Sequence, residues 1–280
     1  MKTKGRRIAI TTGLVALILL ALGAWRGWPH LVFWYRFEPL GVNAQGYPEY
    51  RHRQTGIVMV RLPGGKFWMG AQAKDPNGPN CDPDSSEDEG PVHEVALSPF
   101  LLAKHEVTQV VWKRVMGDDP SDDKGDALPV ERVSWEACQA FCARTGSTLP
   151  TEAQWEYACR AATAGPRAGT GRVDDAAWYA GNSGDEPHPV GTKLPNGFGL
   201  HDLQGNADEW CLDVYDEEYY RRPEGAGPDP CSLQGSENRI LRGGSYYRPV
   251  EGCRASFRGS YLPEREEVGL GFRPAYHPLP

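Results

Sequence analysis

A chain of 280 residues with 33 glycines and 24 prolines holds too many turn-forming residues for a helical bundle. Its hydrophobic content of 40% is too high for a disordered chain, and its net charge of −7 argues against a nucleic-acid partner, which normally requires a basic surface. We therefore expect a packed domain with many irregular connections. Because the seven cysteines are an odd number, at least one thiol stays outside any set of intramolecular disulfides.

The N-terminal residues predict a membrane anchor. A basic segment, residues 1–7, precedes an uncharged apolar run, residues 8–25, which is just long enough to span a bilayer as a helix of about 27 Å. Basic residues stay on the cytoplasmic side, so the prediction is a single-pass membrane protein whose C-terminal domain lies outside the cytoplasm. A cleaved signal peptide is the alternative, because small residues at 21–24 form a weak cleavage site.

Residues 26–55 are predicted to be a juxtamembrane linker. Aromatic residues crowd its first part, where they suit the headgroup zone of a bilayer or pack on the domain. Residues 38–55 are polar and rich in turn formers. The folded domain is therefore expected to span residues 56–280.

Four strands are predicted at the start of this domain. Residues 57–61 and 66–70 flank a Pro-Gly-Gly turn, which indicates that the second strand returns beside the first. Residues 92–97 and 100–107 flank a Ser-Pro pair, which indicates two strands around a corner. Between the two pairs, five acidic residues within 82–89 predict a solvated loop or, alternatively, a loop that attracts a metal ion.

Three short helices are predicted next, over residues 109–116, 135–144 and 152–162. The third has the clearest signal, because Thr151 and Gln154 are spaced as a capping box. No helical periodicity persists beyond the third helix, so the expected architecture is one irregular α+β domain.

Several motifs of this domain resemble one known family. They are EGPVHEV at 89–95, KHEVT at 104–108, LPTEAQWEYACR at 149–160, GNADEW at 205–210, RGGSY at 242–246 and GLGFR at 269–273. Together they resemble the formylglycine-generating enzyme family, also called the sulfatase-modifying factor family. The resemblance covers residues 57–275 and implies a C-type-lectin-like domain with little regular secondary structure.

The resemblance implies an oxidation that this chain supports only in part. The family converts a sulfatase cysteine to formylglycine with O₂ and a copper(I) ion, which two cysteine thiolates hold. Counted from the Gly-Gly-Ser motif, these positions are Arg248 and Cys253. A cation therefore replaces one thiolate, so copper is not expected and catalysis is expected to be impaired. Cys253 and Ser245 remain the candidate catalytic residues.

Cys253 also has a structural interpretation. In the family, a cysteine at the helix position of Cys159 is bridged to the segment after the active-site cysteines, which implies a Cys159–Cys253 disulfide. A free buried thiol and a catalytic thiol are the alternatives. Cys211 and Cys231 flank a loop that a second disulfide would close, and Cys81 is the predicted exposed, unpaired cysteine.

The resemblance also implies a calcium site. In the family, side chains matching Asp202 and Glu209 and main-chain carbonyls matching Gly205 and Ala207 hold the ion, a mixture of oxygens that calcium prefers. An acidic turn before a buried tryptophan is the alternative. A second family calcium implies Asn182 as a further ligand.

Two functions are compatible with these features. The first is a membrane-anchored oxidase that acts on a client sulfatase or another exported protein. The second is a catalytically silent, calcium-stabilised module that binds a peptide, a glycan or a partner protein. The arginine at position 248 favours the second for the chemistry. Arg273 belongs to the site in the family's layout, although such an arginine also commonly pairs with a buried carboxylate.

Overall fold

The computed structural model describes residues 31–167 and 172–277. Strands in these ranges are Phe37–Val42 (β1), Pro48–His52 (β2), Val58–Leu62 (β3), Gly65–Met69 (β4), His93–Leu97 (β5), Phe100–Ala103 (β6), Asp208–Val214 (β7), Arg239–Arg242 (β8), Gly259–Tyr261 (β9), Leu270–Gly271 (β10) and Ala275–Tyr276 (β11). Helices are Gln109–Met116 (α1), Trp135–Thr145 (α2), Glu152–Arg160 (α3) and Val173–Ala176 (α4). The short elements agree with the irregular α+β fold that the composition predicts.

The strands form three sheets. An antiparallel sheet has the order β1-β2-β3-β6-β11, a second has the order β10-β7-β8-β9, and β4 pairs with β5 alone. The predicted pairing of β3 with the strand after the Pro-Gly-Gly turn is therefore wrong, because β3 pairs on both sides with β2 and β6. At the turn, a Cβ on Gly64 would lie 2.3 Å from the Leu97 carbonyl oxygen, so only glycine permits this approach. The corner predicted between β5 and β6 is confirmed.

The predicted linker is partly folded. Residues 37–52 form β1 and β2, which pair along their lengths and extend the five-stranded sheet at one edge. Phe37 at the start of β1 is buried against Tyr276 and His52. The domain therefore begins well before residue 56, since these strands share its core.

The three predicted helices are confirmed, and their ends have the expected chemistry. Ser134 accepts a hydrogen bond from the Ala137 N–H at the start of α2, and Gly146 ends that helix in the left-handed region, at a φ of 67°. Thr151 and Gln154 form the predicted capping box of α3.

The structure corrects the predicted localisation. Within the described residues, no helix is long and apolar enough to cross a bilayer. Of the helices that lie wholly within the described ranges, α2 is the longest, with 11 residues, whereas a span needs about 20. This finding contradicts a single-pass membrane protein with its C-terminal domain outside the cytoplasm. The basic segment 1–7 and the apolar run 8–25 lie outside the described residues.

The acidic segment 82–89 is not simply a solvated loop. Asp82 and Glu89 are buried, and both accept hydrogen bonds from the Arg254 guanidinium at 2.6–2.7 Å. Arg254 follows Cys253 directly, so this pairing fixes the backbone next to the predicted catalytic cysteine. Burial opposes the charge of Glu89, but Arg254 prevails and lowers the pKa of its carboxyl.

Helix α3 lies at the centre of the domain, and all nine of its residues are buried. Its charged side chains are compensated inside the protein. Glu156 accepts from Arg160 on the same helix at 2.8 Å and from Arg242 at the end of β8 at 2.5 Å. Glu152 pairs with Arg258 at 2.8 Å. These ion pairs fix the Gly-Gly-Ser segment after β8 relative to α3.

Candidate functional site

The segment after β8 forms a tight turn that presents the predicted site residues. Gly243 and Gly244 adopt φ values of 106° and 73°, which disfavour other residues. A Cβ on Gly244 would lie 3.1 Å from Cys253 Sγ and 2.9 Å from the Gly252 carbonyl carbon. The two glycines therefore allow Cys253 to pack directly against the turn.

Arg248 is paired with a buried carboxylate that the sequence did not indicate. Its Nε donates to Asp208 Oδ2 at 2.5 Å, and its Nη2 lies 3.5 Å from the Tyr261 hydroxyl. Burial raises the pKa of the Asp208 carboxyl, and Arg248 partly offsets that effect. The position that matches a copper ligand in the family is thus part of an ion pair.

Cys253 is buried beside this ion pair. Burial and, to a smaller extent, the nearby Asp208 carboxylate raise the pKa of its thiol to about 12. At neutral pH the side chain is therefore a neutral thiol, whereas both nucleophilic attack and copper(I) ligation require a thiolate. These residues do not fit the family's two-thiolate copper site.

Ser245, the second candidate catalytic residue, is buried in the same turn. Its main-chain oxygen accepts from the Arg248 N–H at 3.0 Å. Its side chain lies close to Asp208 and favours the charged form of that carboxyl, but its hydroxyl has no hydrogen-bond partner of ordinary geometry among the described residues. The structure thus brings Ser245, Cys253 and Arg248 together around Asp208.

The predicted disulfides are not formed. All seven cysteines are free thiols in the structure. Cys159 Sγ faces the Leu203 carbonyl oxygen, 3.8 Å away, while Cys253 Sγ faces the Gly244 turn, so these two sulfurs are directed to different partners. Cys211 and Cys231 are likewise unbonded. Cys81 is half-buried and not fully exposed.

The four predicted calcium positions lie at the start of β7 and in the loop before it. Glu209 is buried, and Arg273 donates to both of its oxygens at 2.6–2.8 Å. Trp155 Nε1 donates to Oε2 of the same carboxylate at 2.8 Å. The alternative for Arg273, pairing with a buried carboxylate, is therefore confirmed.

Asp202 has an unmatched oxygen. Its Oδ2 accepts from the Gly191 N–H at 2.6 Å, but its Oδ1 is buried without a hydrogen-bond partner among the described residues. Burial raises the pKa of this carboxyl. An orphaned buried carboxylate oxygen fits a cation as its missing partner.

Glu106 is a third carboxylate here that sequence reasoning did not identify. It accepts from Asn206 Nδ2 and from the Ala207 N–H, both at 2.9 Å. Burial, followed by the charges of Asp202 and Glu209, raises its pKa well above the ordinary value. Three buried carboxylates thus face the single guanidinium of Arg273, which leaves an excess of negative charge, although within the described residues no three such side chains are arranged as ligands of one metal ion. The signal in the sequence that could have identified Glu106 was its position within the KHEVT motif at 104–108.

Asn182 is engaged in a turn. Its side-chain oxygen accepts from the Tyr179 N–H at 2.9 Å, and its side-chain nitrogen donates to the Ala177 carbonyl at 3.0 Å. Both ends of the amide are therefore occupied, which gives no support to a second calcium ligand here.

A cavity of about 470 Å³ opens beside the acidic cluster. Its wall includes Asp202, Leu203, Gln204 and Arg167. Gln204 Nε2 donates to the Cys253 carbonyl at 2.7 Å. The carboxylate cluster and the Cys253 turn are therefore adjacent parts of one region.

Comparisons with known proteins agree with the sequence motifs. The model of the sulfatase-modifying factor enzyme 1-like domain matches residues 44–277, a range that begins between β1 and β2. The formylglycine-generating enzyme of Streptomyces coelicolor is 30% identical over 82% of this chain and 92% of its own length. The chaperone protein LppX of Paenibacillus barcinonensis is 30% identical over 63% of this chain and 78% of its own.

An inactive relative and a solved structure are also similar. The inactive Cα-formylglycine-generating enzyme 2 of Mus musculus is 27% identical over 77% of this chain and 84% of its own length. The structure of Treponema denticola variable protein 1 is 25% identical and covers 86% of this chain and 98% of its own, with a TM-score of 0.67. This structural similarity supports the overall fold described above, including the sheet that contains β7 and β8.

Proposed function

The chain belongs to the sulfatase-modifying factor enzyme 1-like family, and on that premise we propose that it binds a segment of a partner protein without oxidising it. The observation that carries the proposal is the Arg248–Asp208 ion pair at the position of a copper ligand. A guanidinium in this place supplies no sulfur ligand for copper(I). The Cys253 thiol alone provides no chelate for the ion.

The relatives support binding as the retained property. One similar protein is named a chaperone and another is named inactive, so members of this family are known by names other than that of the oxidase. A client sulfatase suits this role, because sulfatases are the proteins that the family's name says are modified. Another protein with a suitable extended segment is equally compatible with the site.

We also propose a bound calcium ion. Its ligands are the side chains of Asp202 and Glu209 and the main-chain carbonyls of Gly205 and Ala207. The proposal is supported by the unmatched Asp202 Oδ1 and by the excess of buried carboxylates around Arg273. The ion would supply positive charge and fix the loop before β7.

Coexpression with a tagged Cys-x-Pro-x-Arg peptide tests the loss of oxidation. Copper is supplied, and the formylglycine-generating enzyme of Streptomyces coelicolor serves as the positive control. We expect mass spectrometry to recover the peptide with its thiol unchanged. Aldehyde formation that disappears in Cys253→Ala would overturn the proposal.

A double substitution tests whether Arg248 is the reason that the chain does not bind copper. Arg248→Cys recreates a Cys-x4-Cys spacing, and Asp208→Asn removes the carboxylate that would otherwise lose its partner. We expect this variant to bind copper(I) in a competition assay and the unmodified chain not to bind it. Equal copper binding by both proteins would show that Arg248 does not exclude the metal.

A further inference from the structure

The outer edge of the Arg248 guanidinium is open. Its Nε is used by Asp208, and its Nη2 has only a long contact to the Tyr261 hydroxyl, at 3.5 Å. No described residue accepts a hydrogen bond from Nη1, and the side chain is 25% exposed. Most of the donor capacity of the two terminal nitrogens is therefore unused among the described residues, on a side chain that solvent partly reaches.

The guanidinium is also held in place. Its central carbon lies 5.8 Å from the Tyr247 ring centroid and 6.0 Å from that of Tyr261. The main chain of Arg248 donates to Ser245 at 3.0 Å and accepts from Ala180 at 2.9 Å. Because the side chain is oriented before any ligand arrives, little conformational entropy is lost on binding.

We propose that Arg248, between Tyr247 and Tyr261, binds the carboxylate of an acidic residue in a partner peptide. A guanidinium presents two parallel N–H groups along its outer edge, which match the two oxygens of a carboxylate. The inference rests on the proposed binding function and adds the chemistry of the ligand.

The surrounding charges favour a carboxylate over a phosphate group. Asp208 already balances the charge of Arg248. The neighbouring cation, Arg265, lies 5.8 Å from the Tyr261 ring centroid and is paired with Glu267. The patch therefore has no surplus of positive charge, which suits a planar, singly charged group better than a doubly charged one.

Fluorescence anisotropy with the full chain tests this inference. The probe is a labelled twelve-residue peptide of alternating glycine and glutamate, and the matched control replaces glutamate by glutamine. We expect saturable binding of the glutamate peptide only. Arg248→Lys keeps the charge but loses the paired N–H groups, and should weaken binding about tenfold. Arg265→Gln, the matched neighbour, should change it less than about twofold.

The variant Arg248→Gln combined with Asp208→Asn removes both partners of the ion pair, and its thermal unfolding shows whether the fold is retained. If this variant is folded, it should no longer bind the glutamate peptide. Equal binding of the glutamine peptide, unchanged binding by Arg248→Lys, or displacement by inorganic phosphate at lower concentrations than by acetate would each overturn the inference. Failure of the proposed function is separate, since it is detected as aldehyde formation.

Discussion

The most unusual residues of this domain are its buried arginines. Arg242 and Arg273 are completely buried, and each is paired with a buried glutamate, Glu156 and Glu209 respectively. Because each of these carboxylates accepts several hydrogen bonds, its charge is compensated where water is absent. Removing one partner would therefore leave an uncompensated charge in the interior.

Glu156→Gln is expected to destabilise the protein by about 3–5 kcal/mol. Glu156 accepts from the Gly70 N–H at 2.8 Å as well as from Arg160 and Arg242. The glutamine amide has no charge and presents an N–H₂ group to donors. Urea unfolding measures the loss of free energy.

The matched control is Glu94→Gln. Glu94 pairs with Lys66 at 2.7 Å, but the two side chains are 47% and 69% exposed, so this change should cost less than about 1 kcal/mol. Similar losses in the two variants would contradict the role assigned to burial.

The candidate site was predictable only where short motifs define it. Counting from Gly-Gly-Ser placed Arg248 and Cys253 in one turn, and the structure brings them together. The partner Asp208 was not predictable, because it lies 40 residues away in sequence and no local pattern encodes that contact. The predicted disulfides, which the structure does not contain, depend on distant packing in the same way, because that packing sets the direction of a buried sulfur.

At the scale of secondary structure, local signals predicted helices better than strands. The caps at Ser134 and Thr151 act on adjacent N–H groups, so their effect is visible in the sequence. β1 and β2 resembled a linker, because β1 is an edge strand with most of its residues exposed and has no strict alternation. β2 is placed in the sheet by pairing with β3, and the sequence of β3 does not indicate which strand lies beside it.

Asp213 connects two elements and should make their stability depend on pH. It lies on β7 and accepts from the Glu152 N–H at the start of α3 and from the Ser232 N–H, both at 2.8 Å. Burial, with a further contribution from the Glu152 charge, raises its pKa from 3.8 to about 7. The folded state thus favours the protonated carboxyl more than the unfolded state does.

The sign of the dependence follows from that raised pKa. The stabilising contribution of protonated Asp213 is complete below pH 3.8, decreases as the pH rises and is lost above about pH 7. Between pH 5 and pH 8 the loss should be about 2–3 kcal/mol. Asp213→Asn should be less stable overall but should lack this part of the pH dependence.

Urea unfolding at both pH values measures this difference. Subtracting the variant from the unmodified chain removes the contribution of other buried carboxyl groups with raised pKa values, such as Glu106. Asp84→Asn, at an exposed position, serves as the control and should retain the full dependence. Identical pH dependence in Asp213→Asn and the unmodified chain would show that Asp213 does not titrate in this range.

For the whole molecule, the family motifs predicted the fold class, but its boundary and its interior depended on contacts between distant segments. The acidic segment 82–89 resembled a solvated loop, yet the carboxylates of Asp82 and Glu89 are buried. Both pair with Arg254, which lies more than 160 residues later in the sequence. The glycine-rich turns allow close backbone approaches, and the buried ion pairs link distant segments. Together they stabilise a domain with few regular elements. A cation at the Asp202 cluster would complete this pattern of internal compensation.

Calcium should therefore stabilise the whole domain. An ion that binds only the folded state adds about 2.7 kcal/mol when its concentration is 100 times its Kd, so the thermal midpoint of the full chain should rise with CaCl₂ and fall with EGTA. Magnesium should act more weakly, because it requires a stricter geometry than two carboxylates and two carbonyls provide. Asp202→Asn should reduce the calcium-dependent shift, while Asp185→Asn, at an exposed position, should keep it. Because protons compete for the same carboxylates, the shift should shrink as the pH falls; a midpoint indifferent to calcium at pH 7.5 would exclude the ion from this site.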